Sequence, residues 1–174
     1  MPLPVAHGLI GAGVVAALRP SSEPGRWKWL ALGAFLGIAP DFDFALNLLR
    51  RSRGGWHHGF THSIPFALVV AVVGIIVLRQ RNVRSFVIVC GAYVSHTLLD
   101  FMLTESRGVA LWWPFTNQRY KLRLPNPIDY TWSDDSFSQA AVDLLKISFI
   151  ELLIFVPILL AVISVRKVAD KRAH

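Results

Sequence analysis

Five apolar segments, separated by short basic turns, are the feature that most constrains this chain. They cover residues 4–18, 27–49, 61–78, 85–103 and 139–165. A helix of about 20 apolar residues crosses the hydrocarbon core of a bilayer. Only 17% of the chain is charged, against about 25% in a typical soluble domain. We predict an all-α fold, a polytopic membrane bundle of about five transmembrane helices. It forms a single transmembrane domain over residues 1–174, with a polar and aromatic loop at residues 104–138.

The positive charges lie mainly in the turns between the apolar segments. A net charge of +7 would suggest a nucleic-acid partner in a soluble protein. Membrane proteins keep basic residues in their cytoplasmic loops, so we expect no nucleic acid here. The turns on the side opposite the N-terminus are the more basic, although three arginines within residues 50–53 lie on the other side. We therefore predict a multi-pass protein of a bacterial-type inner (plasma) membrane, with the N-terminus and the site outside and the C-terminus cytoplasmic.

Ionisable side chains from four of the segments share one depth in the predicted bundle. With a rise of about 1.5 Å per residue, they lie roughly 18–25 Å from the basic turns on the opposite side. These residues are His7, Asp41, Asp43, His62, His96 and Asp100. Ionisable groups are costly inside a bilayer and usually face one another or a watery cavity. Their common depth predicts a single site inside the bundle, in the half nearer the N-terminus.

The residue types in this layer suit a divalent metal. His96 and Asp100 are four residues apart, so they lie on one helix face, and Pro40 bends the chain so that Asp41 and Asp43 can both turn inward. Nitrogen and oxygen donors without a thiolate favour Zn, Mn or Fe. Because the donors outnumber the ligands of one tetrahedral zinc, we expect two or more ions, zinc first. The structural alternative is a hydrogen-bonded pair of His96 and Asp100 that only fixes helix packing.

Four motifs occur in the order seen in a known family. They are His7, residues 40–43 (Pro-Asp-Phe-Asp), residues 57–63 (His-His-Gly-Phe-Thr-His-Ser) and residues 95–100 (Ser-His-Thr-Leu-Leu-Asp). With them, the chain resembles the YdjM-like, LexA-regulated inner-membrane metal-dependent hydrolases over roughly residues 5–130. Residues 112–115 (Trp-Trp-Pro-Phe) are also similar to an aromatic segment of that family. The family is grouped, distantly, with zinc-dependent phospholipases C and related single-strand nucleases, helical proteins whose clustered zinc ions cleave phosphoesters.

The resemblance implies metal roles for a defined set of residues in this chain. They are His7, Asp41, His57, His62, His96 and Asp100, with Asp43 as a further candidate. Members of the family often carry an arginine where this chain has His58. If that arginine contacts phosphate, the chain departs from the family pattern in how it handles its substrate.

From the residues and the resemblance together, we expect a membrane-bound metal-dependent hydrolase, similar to phospholipase C. It would use metal-activated water to cleave a phosphoester such as a phospholipid or a lipid-linked phosphate. Asp41 or Asp43 would act as the general base. His58, Arg107 and Arg119 are the expected substrate contacts, and the bilayer lipids are the other expected partners.

Two other classes of function fit the same ligand set. The first is a metal-binding transporter or ion-handling protein without hydrolytic activity, in which the histidines and aspartates line a path. The second, weaker alternative is a bis-histidine haem protein, in which the carboxylates would have no role. Asp143 and Glu151 in the last segment match no motif, and the sequence assigns them no function.

Overall fold

The computed structural model describes residues 4–43, 57–80, 82–104, 107–125 and 137–173. Within these residues the fold is all-α, apart from an isolated bridge between Val109 and Tyr120. The helices are α1 (Pro4–Leu18), α2 (Arg26–Ile38), α3 (Ile64–Val77), α4 (Val83–Leu103) and α5 (Phe137–Arg172). One 3₁₀ turn, Ala39–Phe42, follows α2, and a second, Phe60–His62, precedes α3. The predicted all-α fold with five helices is confirmed.

The helix boundaries follow the apolar segments closely except near the predicted site. α1 covers the predicted residues, whereas α2 ends at Ile38 because Pro40 lacks the N–H that would continue the helix. Residues 44–49 of the predicted second helix lie outside the described residues. The predicted third helix begins instead with a 3₁₀ turn, and Ser63 then caps α3 by accepting the N–H of Phe66 at 3.2 Å. The chain around the site is therefore built from short turns rather than from continuous helix.

Helix α1 lies in the centre of the bundle and packs against α2, α4 and α5. Its crossing with α2 depends on glycine, since a Cβ atom at Gly37 would lie 2.3 Å from the backbone oxygen of His7. A Cβ atom at Gly11 would likewise lie 2.2 Å from the backbone oxygen of Gly33. Only residues without a side chain allow the two backbones to come this close. The contact at Gly37 brings the backbone of His7 directly against α2.

The outer surface of the described helices is strongly apolar. On α5, the side chains of Leu145, Phe149 and Leu153 are exposed, and similar residues project from α3. α4 and the Ser138–Arg172 part of α5 are long and apolar enough to cross a membrane, while α1 and α3 are shorter apolar helices. Contiguous apolar surface of this kind suits contact with lipid. The prediction that five helices span the membrane stays a prediction.

One end of the bundle gathers the basic turns. The turn between α1 and α2, the start of α4 and the end of α5 meet there, where the Arg84 guanidinium donates to the backbone oxygen of Leu18 at 2.9 Å. Asp170 of α5 accepts hydrogen bonds from the backbone N–H and the hydroxyl of Ser21 at 2.6 and 2.7 Å. The turns that the sequence placed on the more basic side of the predicted bundle therefore lie together at one end of the structure. We call this the basic end.

Candidate metal centre

The predicted ligands meet at the other end of the bundle. α1 contributes His7, the two 3₁₀ turns contribute Asp41 and His62, and α4 contributes His96 and Asp100. The side chain of Asp41 is 11% exposed and those of the other four are fully buried. His57 joins them from the residues before the second 3₁₀ turn, with a ring centroid 5.4 Å from that of His62. The shared depth predicted from the sequence corresponds to one compact cluster.

Four donor atoms form the centre of this cluster. The Nε2 atoms of His62 and His96 are 3.0 Å apart. Asp100 Oδ2 lies 3.2 Å from His96 Nε2 and 3.4 Å from His62 Nε2. Asp41 Oδ1 lies 3.4 Å from His96 Nε2 and 3.7 Å from His62 Nε2. We call these four residues the central group; one donor atom of each lies within 4.8 Å of the others.

Hydrogen bonds at the far side of the two imidazoles determine their tautomers. His96 Nδ1 donates to the backbone oxygen of Gly37 at 2.7 Å. Thr61 Oγ1 donates to Asp43, so it accepts from His62 Nδ1 at 3.0 Å. In the neutral rings, Nε2 of each histidine then carries a lone pair, and both lone pairs point towards the carboxylates. Second-layer bonds of this kind are typical of metal-binding histidines.

The central group fits the geometry of a tetrahedral ion. Zinc holds nitrogen and oxygen ligands at about 2.0–2.2 Å, which separates neighbouring ligands by roughly 3.3 Å. Of the six separations within the central group, the five that involve a histidine fall between 3.0 and 3.7 Å. With neutral imidazoles and ionised carboxylates, all four atoms are acceptors, and a cation among them would satisfy all four. The residues present therefore fit a bound divalent metal.

Several buried polar atoms near the central group have no hydrogen-bonding atom in the described part of the chain. They are both ring nitrogens of His7, both carboxylate oxygens of Asp100 and Oδ1 of Asp41. His7 stacks on His96 with ring centroids 3.8 Å apart, and its Nε2 is 3.5 Å from Asp100 Oδ1. Because buried polar atoms are almost always satisfied by protein, water or an ion, these atoms are placed to accept an ion or water.

Asp43 occupies a different position from Asp41. Its Oδ1 accepts from His57 Nδ1 at 2.9 Å, and its Oδ2 accepts from the Thr61 hydroxyl at 2.9 Å. Both oxygens are therefore engaged in orienting other side chains, and Asp43 is 1% exposed. With Nδ1 donating to Asp43, His57 presents the lone pair of Nε2. Asp43 thus supports the histidines, whereas Asp41 belongs to the central group.

His58 lies among the candidate ligands. One nitrogen of each of His57, His58 and His62 lies within 4.8 Å of the others, and His58 Nε2 is 3.5 Å from Asp100 Oδ2. Burial lowers the pKa of His58 to about 4, with the charge of Asp100 opposing that effect. The ring is then neutral at pH 7. Its backbone has φ of 59°, a left-handed conformation that costs of order 1 kcal/mol in a residue with a side chain.

A match to a family model supports the resemblance found in the sequence. The model of the YdjM inner membrane protein family matches residues 1–170. The chain belongs to this family. The inner membrane protein YbcI of Escherichia coli (strain K12) is 29% identical over 127 residues, which cover 69% of this chain and 72% of that protein. No solved structure matches the chain.

Two of the predicted substrate contacts, Arg107 and Arg119, lie in residues 107–125. In this YdjM family member, that segment contacts the loop before the second 3₁₀ turn. The Nη1 atom of Arg119 donates to the backbone oxygens of His57, His58 and Gly108 at 3.2–3.3 Å. Arg119 therefore joins the loop of the two histidines to residues 107–125. Arg107 is exposed. Burial lowers the pKa of Arg119, and the nearby positive charge of Arg107 lowers it further.

Three further groups contribute to the site, and the sequence predicted none of them as site residues. The backbone oxygen of Gly37 orients His96, the hydroxyl of Thr61 connects Asp43 to His62, and the hydroxyl of Tyr93 donates to the backbone oxygen of Thr61 at 2.8 Å. Any residue offers a backbone oxygen, so no residue type could have pointed to Gly37. Thr61 lies inside the motif of residues 57–63, and that position is the signal that could have identified it.

The site opens to the surface beside Asp41 and His57. Their side chains are 11% and 14% exposed, more than those of the other candidate ligands. Two exposed aromatic residues are close in the chain or in contact with the second 3₁₀ turn: Phe42 follows Asp41, and the ring centroids of Trp113 and Phe60 are 5.6 Å apart. A polar opening with an aromatic rim is typical of the level at which a bilayer meets water.

Proposed function

We propose that this YdjM family member is a membrane-bound metal-dependent hydrolase of phosphoesters, with zinc as its first metal and Mn or Fe as alternatives. One observation carries the proposal: the Nε2 lone pairs of His62 and His96 converge at 3.0 Å with two carboxylates beside them. A divalent cation among these atoms would satisfy all four acceptors. The donor set of imidazole and carboxylate, without thiolate, is the type used by hydrolytic zinc sites.

The cluster has enough donors for more than one ion. The central group would hold the first. His57 and His58, with the second oxygen of Asp100 and the ring of His7 close by, would hold a second. A divalent ion bound there would lower the pKa of water and stabilise negative charge on phosphoryl oxygens. Zinc-dependent phosphoesterases use clustered ions for this chemistry, which is why we favour a phosphoester over other substrates.

Asp41 is the residue we assign as proton acceptor. It lies in the central group, its side chain reaches the opening, and its Oδ1 has no hydrogen-bond donor among the described residues. It would take a proton from the attacking water as that water's oxygen bonds to phosphorus, and the proton would pass to the leaving oxygen as its bond to phosphorus breaks. Asp43 is less suited to this role, because both of its oxygens already accept hydrogen bonds.

The apolar surroundings favour a lipid substrate. The opening beside Asp41 and His57 lies between exposed aromatic residues, and the described helices present apolar side chains outward. A phospholipid or a lipid-linked phosphate could place its phosphate at the opening while its chains stay in the bilayer. Arg107, exposed near this region, would contact the phosphate, and Arg119 would hold the histidine loop and add positive charge.

The test is Asp100→Asn, compared with Asp170→Asn at the basic end. Asp100→Asn keeps the size of the side chain but removes the charge shared by the ligands, so hydrolysis of a phospholipid and lipid-phosphate panel should fall by about three orders of magnitude or more. Asp170→Asn should retain wild-type activity, and both variants should accumulate in the membrane. If zinc- or manganese-loaded wild type cleaves no phosphoester in the panel, the hydrolase proposal is wrong. The metal-binding transporter then becomes the better account.

We also propose that the helices cross the membrane repeatedly, with the site outside and the basic end in the cytoplasm. The basic end gathers the positive turns, and positive loops stay cytoplasmic. In a Cys90→Ala background, Asn117→Cys and Ala173→Cys can be probed on intact cells with a membrane-impermeant thiol reagent. The proposal expects labelling of Asn117→Cys alone. Labelling of Ala173→Cys alone would reverse the orientation.

A further inference from the structure

Glu151 is a buried carboxylate near the middle of the long helix α5. It lies on α5, its side chain is fully buried, and its Oε2 accepts the backbone N–H of Ala6 at 2.9 Å. Ala6 is in the first turn of α1, where the N–H groups have no acceptor within their own helix. The carboxylate therefore caps α1 from another helix, at the end where negative charge is favoured.

The capped residue directly precedes a candidate ligand. His7 follows Ala6, stacks on His96 and places Nε2 3.5 Å from Asp100. Other histidines of the site are oriented by hydrogen bonds at Nδ1, as His96 is by Gly37. Neither ring nitrogen of His7 has such a bond among the described residues. The position of the His7 ring then depends on its stacking on His96 and on its backbone, which meets Gly37 on one side and follows the capped turn on the other.

We propose that Glu151 is a positioning residue of the metal centre. By holding the first turn of α1, it fixes the His7 ring at a distance from Asp100 that allows both to contact one ion. A carboxylate at this depth costs free energy of burial that an apolar contact between α1 and α5 would not. Its hydrogen bond one residue before His7 accounts for its presence. The inference rests on the proposed metal binding and extends it to a residue outside every sequence motif.

The experiment compares three variants by zinc affinity, from chelator competition, and by hydrogen exchange at the first turn of α1. Glu151→Met removes the acceptor at similar size, and Glu151→Gln keeps an acceptor oxygen. Ile147→Ala, one turn earlier on α5 and buried, removes packing without touching the cap. Glu151→Met should speed exchange at α1 and weaken zinc binding about 10–100-fold, the usual loss for a supporting residue. Glu151→Gln and Ile147→Ala should stay near wild type.

A double-mutant cycle isolates the route through His7. In a His7→Ala background, Glu151→Met should cause no further loss of zinc affinity, because the ligand that it positions is already gone. Equal losses in both backgrounds, or an equal loss in Ile147→Ala, would overturn the positioning role. Glu151→Leu serves as a second variant without the cap if Glu151→Met does not accumulate. Wild type that binds no zinc would refute the proposed function itself, whereas zinc-binding wild type with an unaffected Glu151→Met would refute only this inference.

Discussion

The two ends of this bundle treat buried and half-buried charge in opposite ways. At the basic end, cations and anions meet directly. Arg19 Nε is 3.1 Å from Glu23 Oε2, with the guanidinium stacked over Trp29 at 4.1 Å, and Arg166 Nε is 3.0 Å from Asp170 Oδ1. These contacts balance each carboxylate with a charge from the chain itself.

At the site end, the carboxylates face histidines instead of arginines. His62 and His96 direct their Nε2 atoms towards each other, and both oxygens of Asp100 lack a hydrogen-bond donor among the described residues. An isolated buried carboxylate is too costly to remain charged without a counter-ion. The comparison teaches that burial alone does not identify the functional end. What distinguishes it is the spacing of imidazole nitrogens and carboxylate oxygens, which fits a divalent cation.

Among the variants that test this comparison, Gly37→Ala is expected to have the largest effect, because it changes both the helix packing and the site. The added Cβ would lie 2.3 Å from the backbone oxygen of His7, so α1 and α2 must separate beside the carbonyl that orients His96. Such overpacking costs about 3 kcal/mol. We expect a large drop in melting temperature in detergent and a loss of bound metal.

Gly13→Ala is the matched control, on α1, the helix that Gly37 of α2 packs against. Nothing lies within 4 Å of a Cβ at Gly13, and alanine favours a helix by about 1 kcal/mol over glycine. Gly13→Ala should therefore be as stable as wild type or more stable, with full metal content. A Gly37→Ala protein that behaved in the same way would contradict the close contact between α1 and α2.

An intermediate effect is expected from Asp43→Asn. The amide cannot accept from both His57 and Thr61 with the strength of a charged carboxylate, so His57 loses its fixed orientation. Removing a supporting group of this kind typically weakens metal binding about 10–100-fold. Zinc competition titrations should show this loss while the protein remains folded. Unchanged affinity would mean that Asp43 does not orient the ligands.

The smallest effect is expected at the basic end. Glu23→Gln breaks the ion pair with Arg19. The side chain of Glu23 is about a third exposed. Pairs near the surface contribute about 0–1 kcal/mol, so the melting temperature should fall slightly and the metal content should not change. Loss of metal in this variant would show that the two ends are not independent, and the contrast between them would fail.

Hydropathy alone predicted most of the helices. α1 has the predicted boundaries because its apolar run is uninterrupted, and α4 begins at Val83, close to the predicted residue 85. The end of α2 could not be placed from hydropathy, since apolar residues continue beyond Ile38 while Pro40 changes the backbone. Hydropathy measures burial, and the short turns that aim Asp41 and His62 depend on local backbone geometry instead.

The membership of the site was predictable, but the arrangement within it was not. Shared depth gathered His7 and Asp100 with the other ligands, yet the spacing of Asp41 and Asp43 gave no means of deciding which would face the histidines. That outcome depends on how Pro40 turns the chain. Glu151 matched no motif because its contact is with a backbone N–H of α1, which every residue except proline possesses.

The most direct test of the account is the metal content of the purified protein. Wild type and His96→Ala, solubilised in detergent and washed in parallel, should be compared by elemental analysis, with Glu23→Gln as the control from the basic end. The account predicts at least one transition-metal ion per chain in wild type and in Glu23→Gln, and a clear loss in His96→Ala. Equal trace amounts in all three proteins would contradict it, and the converging acceptors at the site end would need another explanation.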